Sequence, residues 1–233
     1  MAVCGRRARG QQPGLSGGGA CQLPPVRPAE RRFEKAWFYL CGAYHHLLFF
    51  AGGWAGGRPS DLLRLAQPGA AAAGLGPHRL YLDAVSAVEA QCFPLAEAAT
   101  REEFRQRLLH YGGHFWLLFR GGRLIAFVDG MVTDRPGLTD EMYQRAELHD
   151  ENGAWQMIFG VNPIPSCRKK GYAGELIQRA IEDARAQGRK GLVLTCKDKL
   201  IPYYSKFGFE LEGVSESVHG NVVWNQMRLT FPV

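Results

Sequence analysis

The 233-residue chain lacks any paired cysteine spacing: six cysteines are scattered, at Cys4, Cys21, Cys41, Cys92, Cys167 and Cys196, with no CxxC and no His–Cys cluster. That spacing argues against a zinc site and suits a reducing, cytoplasmic setting in which disulfides are rare. A bilayer-spanning apolar run is missing too. Ala36 to Phe50 follows Arg31, Arg32 and Lys35, but it is only 15 residues and includes His45 and His46. It reads as neither signal nor anchor, so no membrane partner is expected. No internal repeat recurs. The spacings of a Walker loop and of a dinucleotide fingerprint are absent. No basic–aromatic motif of a nucleic-acid reader is found, so no nucleic-acid partner is expected.

What is present divides unevenly. Hydrophobic residues make up 46% and charged residues 21%, ordinary values for a globular protein. Residues 1–80, however, hold ten Lys/Arg against three Asp/Glu, with 14 of the 29 glycines and 7 of the 13 prolines. They read as a basic, poorly ordered extension, with Leu62 to Ala66 as a candidate strand. Residues 81–233 read as one domain.

From Leu82 the pattern becomes regular. Val85, Val88 and Cys92 fall at helical spacing, interrupted by Glu89. Thr100 followed by Glu103 is a capping-box pattern that opens a second helix, Arg101 to His110. His114 to Phe119 and Leu124 to Val132 read as a hairpin turned by Gly121-Gly122. A short helix is expected within Thr139 to Leu148, then a strand, Trp155 to Val161. Tyr172 to Gln187 places Leu176, Ile177, Ala180, Ile181 and Ala184 on one face, and Gly188 ends it. Gly191 to Cys196 is a short buried strand and Leu200 to Lys206 a helical turn. Phe207 to Glu212 and Val222 to Leu229 close the sheet. This order predicts an α/β sandwich.

The segment Arg168-Lys169-Lys170-Gly171-Tyr172-Ala173-Gly174 carries the chemistry. It lies between a strand and the start of a helix, where unpaired N–H groups and the helix dipole attract phosphate. Gly171 allows close backbone approach to an anion, Ala173 keeps the first turn small, and three cations add to the field. On the residues alone, a basic surface loop with a glycine turn is an equal reading.

Arg168-x-x-Gly171-x-Ala173 after a strand resembles the acetyl-CoA pyrophosphate loop of the GNAT N-acetyltransferase superfamily. Ile201-Pro202-Tyr203-Tyr204-Ser205-Lys206-Phe207-Gly208-Phe209 resembles that superfamily's tyrosine helix, in the right order and with a strand between. The serotonin (arylalkylamine) N-acetyltransferase branch is most similar, through Phe127, Cys196-Lys197-Asp198 and Met227. The resemblance covers roughly Asp83 to Leu229. It implies a mixed, mostly antiparallel sheet flanked by helices, with a V-shaped splay between two central strands.

The resemblance further implies acetyl-CoA as co-substrate. Phe159, Gly160 and Val161 would offer backbone contacts to the pantetheine arm. Arg168, Lys169, Lys170, Gly171, Tyr172, Ala173 and Gly174 would hold the pyrophosphate. Tyr204 would protonate the departing thiolate, and Phe93, Pro94, Val222 and Trp224 would line the acceptor pocket. The implied reaction is direct attack of a primary amine, a small arylalkylamine, on the thioester. Acylation of a protein or peptide amine, and a catalytically silent acyl-CoA-binding module, are the alternatives. A monomer or a homodimer fits, and no metal is called for. The sequence departs from the branch at its His-x-His pair: Trp155-Gln156-Met157-Ile158-Phe159 holds no histidine. The proton acceptor is therefore open among water relayed past Gln156, Glu141 or Glu147, and His219. Lys197 stands where many members place a CoA-contacting asparagine. Cys167 reads as a bystander, with no histidine base beside it in sequence.

Overall fold

The structure, a computed structural model, describes residues 61–64 and 79–232. Most of the expected N-terminal extension therefore lies outside the described residues. Strand β1 (Asp61–Arg64) leads, followed by helices α1 (Arg79–Cys92) and α2 (Arg101–Tyr111). A hairpin of β2 (Phe115–Arg120) and β3 (Arg123–Asp129) comes next, then the short β4 (Val132–Thr133) and α3 (Asp140–Gln144). The C-terminal half runs β5 (Trp155–Ile158), β6 (Gly160–Pro163), α4 (Tyr172–Ala186), β7 (Gly191–Cys196), α5 (Ile201–Ser205), β8 (Glu210–Val214) and β9 (Asn225–Thr230).

The strands form two sheets, ordered β1-β2-β3-β6 and β4-β5-β7-β9-β8. Only the β5–β7 pairing is parallel among the described residues. The mixed, mostly antiparallel architecture is thus as expected. A first strand is present: Asp61–Arg64 pairs antiparallel with Trp116 to Phe119. The hairpin turns at Gly121 and Gly122, both at positive φ (55° and 73°), as a tight turn matched to strand twist requires.

Local chemistry explains the helices. Thr100 accepts the Glu103 N–H at 3.2 Å while the Glu103 carboxylate accepts the Thr100 N–H at 2.6 Å, a complete capping box. On α4, Leu176, Ile177, Ala180, Ile181 and Ala184 are all buried, and α4 packs across β2, β3, β6 and β7. Each such large aliphatic side chain contributes roughly 1.5–3 kcal/mol by leaving water. The Trp116 indole N–H donates to Asp183 at 2.8 Å, fixing α4 to the sheet.

Two sequence expectations are corrected. The strand expected over Trp155 to Val161 breaks at Phe159 into β5 and β6, which belong to different sheets. The closing pair is shifted: β8 starts at Glu210 and β9 at Asn225, so Val222 and Trp224 lie in the loop ahead of the last strand. The break is enabled at Gly130, where an added Cβ would fall 1.8 Å from the Met157 carbonyl oxygen. Lacking one, the chain lets the Met157 N–H reach the Met131 carbonyl at 2.8 Å.

Candidate active site

The site begins where the two sheets part. Up to Ile158 the chain pairs in parallel with β7. From Gly160 it pairs with β3 instead, while Thr195 and Cys196 stay on β9. A V-shaped gap therefore opens between β6 and the end of β7. At its apex the Phe159 N–H donates to the Asp129 carbonyl at 2.8 Å. The Phe159 ring lies 4.8 Å from Tyr143 and 5.1 Å from the Arg107 guanidinium. Arg107 is buried and ion-paired with buried Asp129 at 3.0 Å. Burial pushes the Asp129 carboxyl up, while Arg107 and the Gly160 N–H pull it back.

One arm of the gap leads to the start of α4. Gly171 sits at φ 90° as the residue capping that helix, with no atom within 4 Å of an added Cβ. Lys169 also has positive φ (60°). The loop is exposed from Arg168 to Gly171, so open space lies before the free N–H groups of a 15-residue helix. This geometry fits a pyrophosphate. Arg168 is tied down locally: its guanidinium donates to the Cys92 carbonyl at 3.2 Å and to the Pro163 carbonyl at 3.4 Å. Tyr172 receives a hydrogen bond from Arg120. Ala173 and Gly174 complete the first turn. A Cβ on Gly174 would meet the Phe207 ring at 3.2 Å and the Tyr203 hydroxyl at 3.6 Å, which brings α5 close to the start of α4.

Tyr204 projects from α5 and is buried, edge-on to Tyr203 (5.3 Å) and Phe209 (6.1 Å). Burial, with Cys196 and Tyr203 nearby, pushes its hydroxyl well above the ordinary phenol range. Such a group keeps its proton, as a donor to a departing thiolate must.

The other side of the gap is walled by two loops and helix α3, which sequence spacing could not bring together. The segment after α1 holds Phe93, Pro94 and Glu97, and Pro94 turns the chain by accepting the N–H groups of Glu97 and Ala98. Tyr143 of α3 places its hydroxyl 3.2 Å from Thr195 on β7 and stacks 5.1 Å from the His219 ring. Asp140, on the same helix, accepts from Ser217 and the Val218 N–H. His219 donates from Nε2 to the Glu97 carbonyl at 3.0 Å, which leaves the Nδ1 lone pair without a partner among the described residues. Trp224 closes its loop by donating to the His219 carbonyl at 2.8 Å, and half-buried Val222 precedes it. Lys197 is half-buried and ion-paired: its ammonium lies 2.8 Å from both Glu97 carboxylate oxygens and 5.5 Å from the Trp224 ring centre.

The remaining proton-acceptor candidates are engaged elsewhere. Gln156 is buried and bonds His114, the Met131 carbonyl and the Met157 carbonyl. Glu141 bridges Arg135 and Arg145, and Glu147 pairs with Arg145, all at the surface. Cys167 is buried just ahead of the Arg168 to Gly171 loop and is disulfide-bonded, so it is not a free thiol, and the expectation of reduced cysteines fails there. Two features escaped the sequence reading. Glu89 is buried in α1, where its carboxylate accepts from Ala99 N–H at 3.0 Å and Asn162 Nδ2 at 2.7 Å. Its position inside the apolar stripe of α1 was the available signal.

The second feature is a cluster of His114, His149 and Glu151, whose ligand atoms lie within 4.8 Å of one another. His149 Nδ1 accepts the Val132 N–H, so its proton sits on Nε2, facing Glu151 at 3.2 Å. The cluster is thereby satisfied by its own hydrogen bonds rather than presenting a lone pair to an ion. Burial and neighbouring His114 push His149 down to about 4, and His114 holds Glu151 near 2.

The fold thus presents a cleft between splayed strands, with a glycine-capped helix start on one arm and a buried tyrosine on α5. The family model for the acetyltransferase (GNAT) family matches residues 82–209, and the chain belongs to that family. Among curated proteins it is similar to serotonin N-acetyltransferase from Mesocricetus auratus, 29% identical over 111 residues, which are 47% of this chain and 52% of that protein. The chain thus matches about half the length of that relative. Among solved structures it is similar to the loading GNATL domain of CurA from Lyngbya majuscula (TM-score 0.59, 14% identity, covering 74% of this chain and 98% of that one). The GphF GNAT-like decarboxylase, solved with isobutyryl-CoA, is also similar (TM-score 0.53, 21% identity, covering 64% and 94%). No helix among the described residues is long and apolar enough to cross a membrane.

Proposed function

We propose that the chain is an acyl-CoA-dependent N-acyltransferase, with acetyl-CoA as donor and a small, aromatic or apolar primary amine as acceptor, working in the cytoplasm. The observation that carries this reading is the run from the splayed strand to Gly171, with φ 90° and open space, at the start of α4. Backbone at Phe159 to Val161 would hold the pantetheine arm, and the loop from Arg168 to Gly174 the pyrophosphate.

The acceptor nitrogen, once neutral, attacks the thioester carbonyl carbon. The C–S bond breaks, and its electron pair goes to sulfur, which takes the Tyr204 proton. The amine's proton passes to His219, whose Nδ1 is free and whose tautomer is set by Glu97, and thence through solvent to restore Tyr204. Aromatic walls at Tyr143, Phe159 and Trp224 favour an apolar amine over a peptide, and retained Tyr204 argues against a silent binding module.

A steady-state assay with acetyl-CoA and a panel of arylalkylamines, alkylamines and N-terminal peptides tests this reading. Turnover of arylalkylamines is expected. His219→Gln should lower kcat on the order of a hundredfold. A folded, acetyl-CoA-binding protein that acylates none of the panel would overturn it.

A further inference from the structure

The Glu97 carboxylate and the Trp224 ring already hold an ammonium, and it belongs to the chain itself. Both carboxylate oxygens lie 2.8 Å from Lys197 Nζ, and the same nitrogen stands 5.5 Å from the indole centre. The two side chains differ in access: Glu97 is 7% exposed and Lys197 32%. The carboxylate is therefore the built, inward half of the pair, and the lysine is the half that can swing out to water. A carboxylate with an aromatic face beside it is a general recognition unit for alkylammonium.

The unit is rigidly framed. His219 holds the Glu97 carbonyl, and Trp224 holds the His219 carbonyl. Gly220, at φ 65°, lies so close that an added Cβ would stand 2.5 Å from Glu97 Cγ. Leu95, Val218 and Val223, exposed at 95%, 75% and 63%, give the flanking loops an apolar surface. The free Nδ1 of His219 belongs to the same loop pair.

We propose that Glu97 and Trp224 form the binding site for the acceptor's ammonium group, and that Lys197 occupies this site until an acceptor displaces it. The ligand class is a primary alkylammonium on an unbranched apolar arm, the chemistry of the lysine side chain that fills the site. This assignment rests on the amine-acyltransferase reading for its purpose, but its test does not. Lys197 so placed is a gate that an uncharged ligand cannot open, because only a cation can replace its interaction with Glu97.

The experiment is calorimetric titration of the full chain with n-hexylammonium and, as the uncharged counterpart, 1-hexanol, with no acyl-CoA present. Wild type should bind the ammonium and not the alcohol. Lys197→Met should bind it at least about tenfold more tightly because the competing cation is gone, and Glu97→Gln should lose most of the affinity. Thermal stabilisation by acetyl-CoA should be unchanged in both variants. Lys197→Met strands a carboxylate, so if it fails to fold, Glu97→Gln decides alone, since it leaves Lys197 free to reach water. Equal affinity in folded Glu97→Gln and wild type would overturn the site. Ammonium binding that depends on Glu97, in a protein without turnover, would support the site and sink the acyltransferase reading. Turnover with a KM indifferent to Glu97→Gln would do the reverse.

Discussion

The Glu89 carboxylate accepts a hydrogen bond from Asn162 Nδ2 at 2.7 Å, joining helix α1 to the strand arm that swings away from β7. Its other oxygen holds the Ala99 N–H at 3.0 Å, so one buried acid fixes both the splayed strand and the loop leading to α2. Desolvation by burial pushes it up from 4.5 to about 7.

That shift sets a pH dependence. The folded-state value lies above the unfolded one, so the folded protein binds the proton more tightly. The resulting contribution to stability is fully present below pH 4.5 and is lost as pH rises through about 7. The gap corresponds to on the order of 3 kcal/mol. Glu89→Gln can still accept from Ala99 and can donate to Asn162 Oδ1, a buried oxygen without a hydrogen-bond partner among the described residues. Urea denaturation at pH 5 and pH 8 should show the wild type weakening between the two and the variant holding constant. Parallel slopes would mean that Glu89 is ionised throughout.

Gly171→Val should leave a folded protein that no longer gains stability from acetyl-CoA. A β-branched residue at φ 90° is strained, and its side chain would enter the open space before the helix N–H groups. Differential scanning fluorimetry reads both parts. At about a hundred times its dissociation constant, acetyl-CoA should raise wild-type stability by roughly 2.7 kcal/mol, and should not raise that of the variant.

Tyr204→Phe should lower kcat on the order of a hundredfold, with little change in acetyl-CoA affinity. The Tyr204 hydroxyl makes no hydrogen bond to the described residues, so urea midpoints of the two proteins should agree. A kcat unchanged by the substitution would give the leaving thiolate another proton source.

Thr100→Ala should cost about 1 kcal/mol, because the side-chain acceptor for the Glu103 N–H is lost at an exposed helix start. Glu103→Ala removes the reciprocal bond to the Thr100 N–H. A cycle combining the two substitutions measures their coupling, and strictly additive losses would mean that the two halves of the box act separately.

Local chemistry wrote the Gly171 turn, the capping box, the hairpin and α4 into the sequence. Each depends on residues a few positions apart, and each is found where spacing and residue type put it. Pairings across the chain were not legible. Glu97 and Lys197 lie 100 positions apart, Glu89 and Asn162 73, and Tyr143 and Thr195 52. Nothing in the sequence around Lys197 separates a phosphate-binding lysine from one that pairs with a carboxylate 100 positions away. The break at Phe159 was hidden for a related reason. Trp155 to Val161 is apolar apart from Gln156, and strand propensity has no term for which neighbour a strand pairs with. That choice belongs to the fold: Gly130 lets the Met157 carbonyl in close, β3 claims the backbone from Gly160 onward, and the gap follows because one strand cannot follow two diverging partners. The sequence by itself determined the family and the left-handed Gly171 turn that starts α4, through short-range motifs and backbone geometry. Tertiary structure alone decided which charges meet in the gap, because burial and long-range pairing are properties of the packed chain.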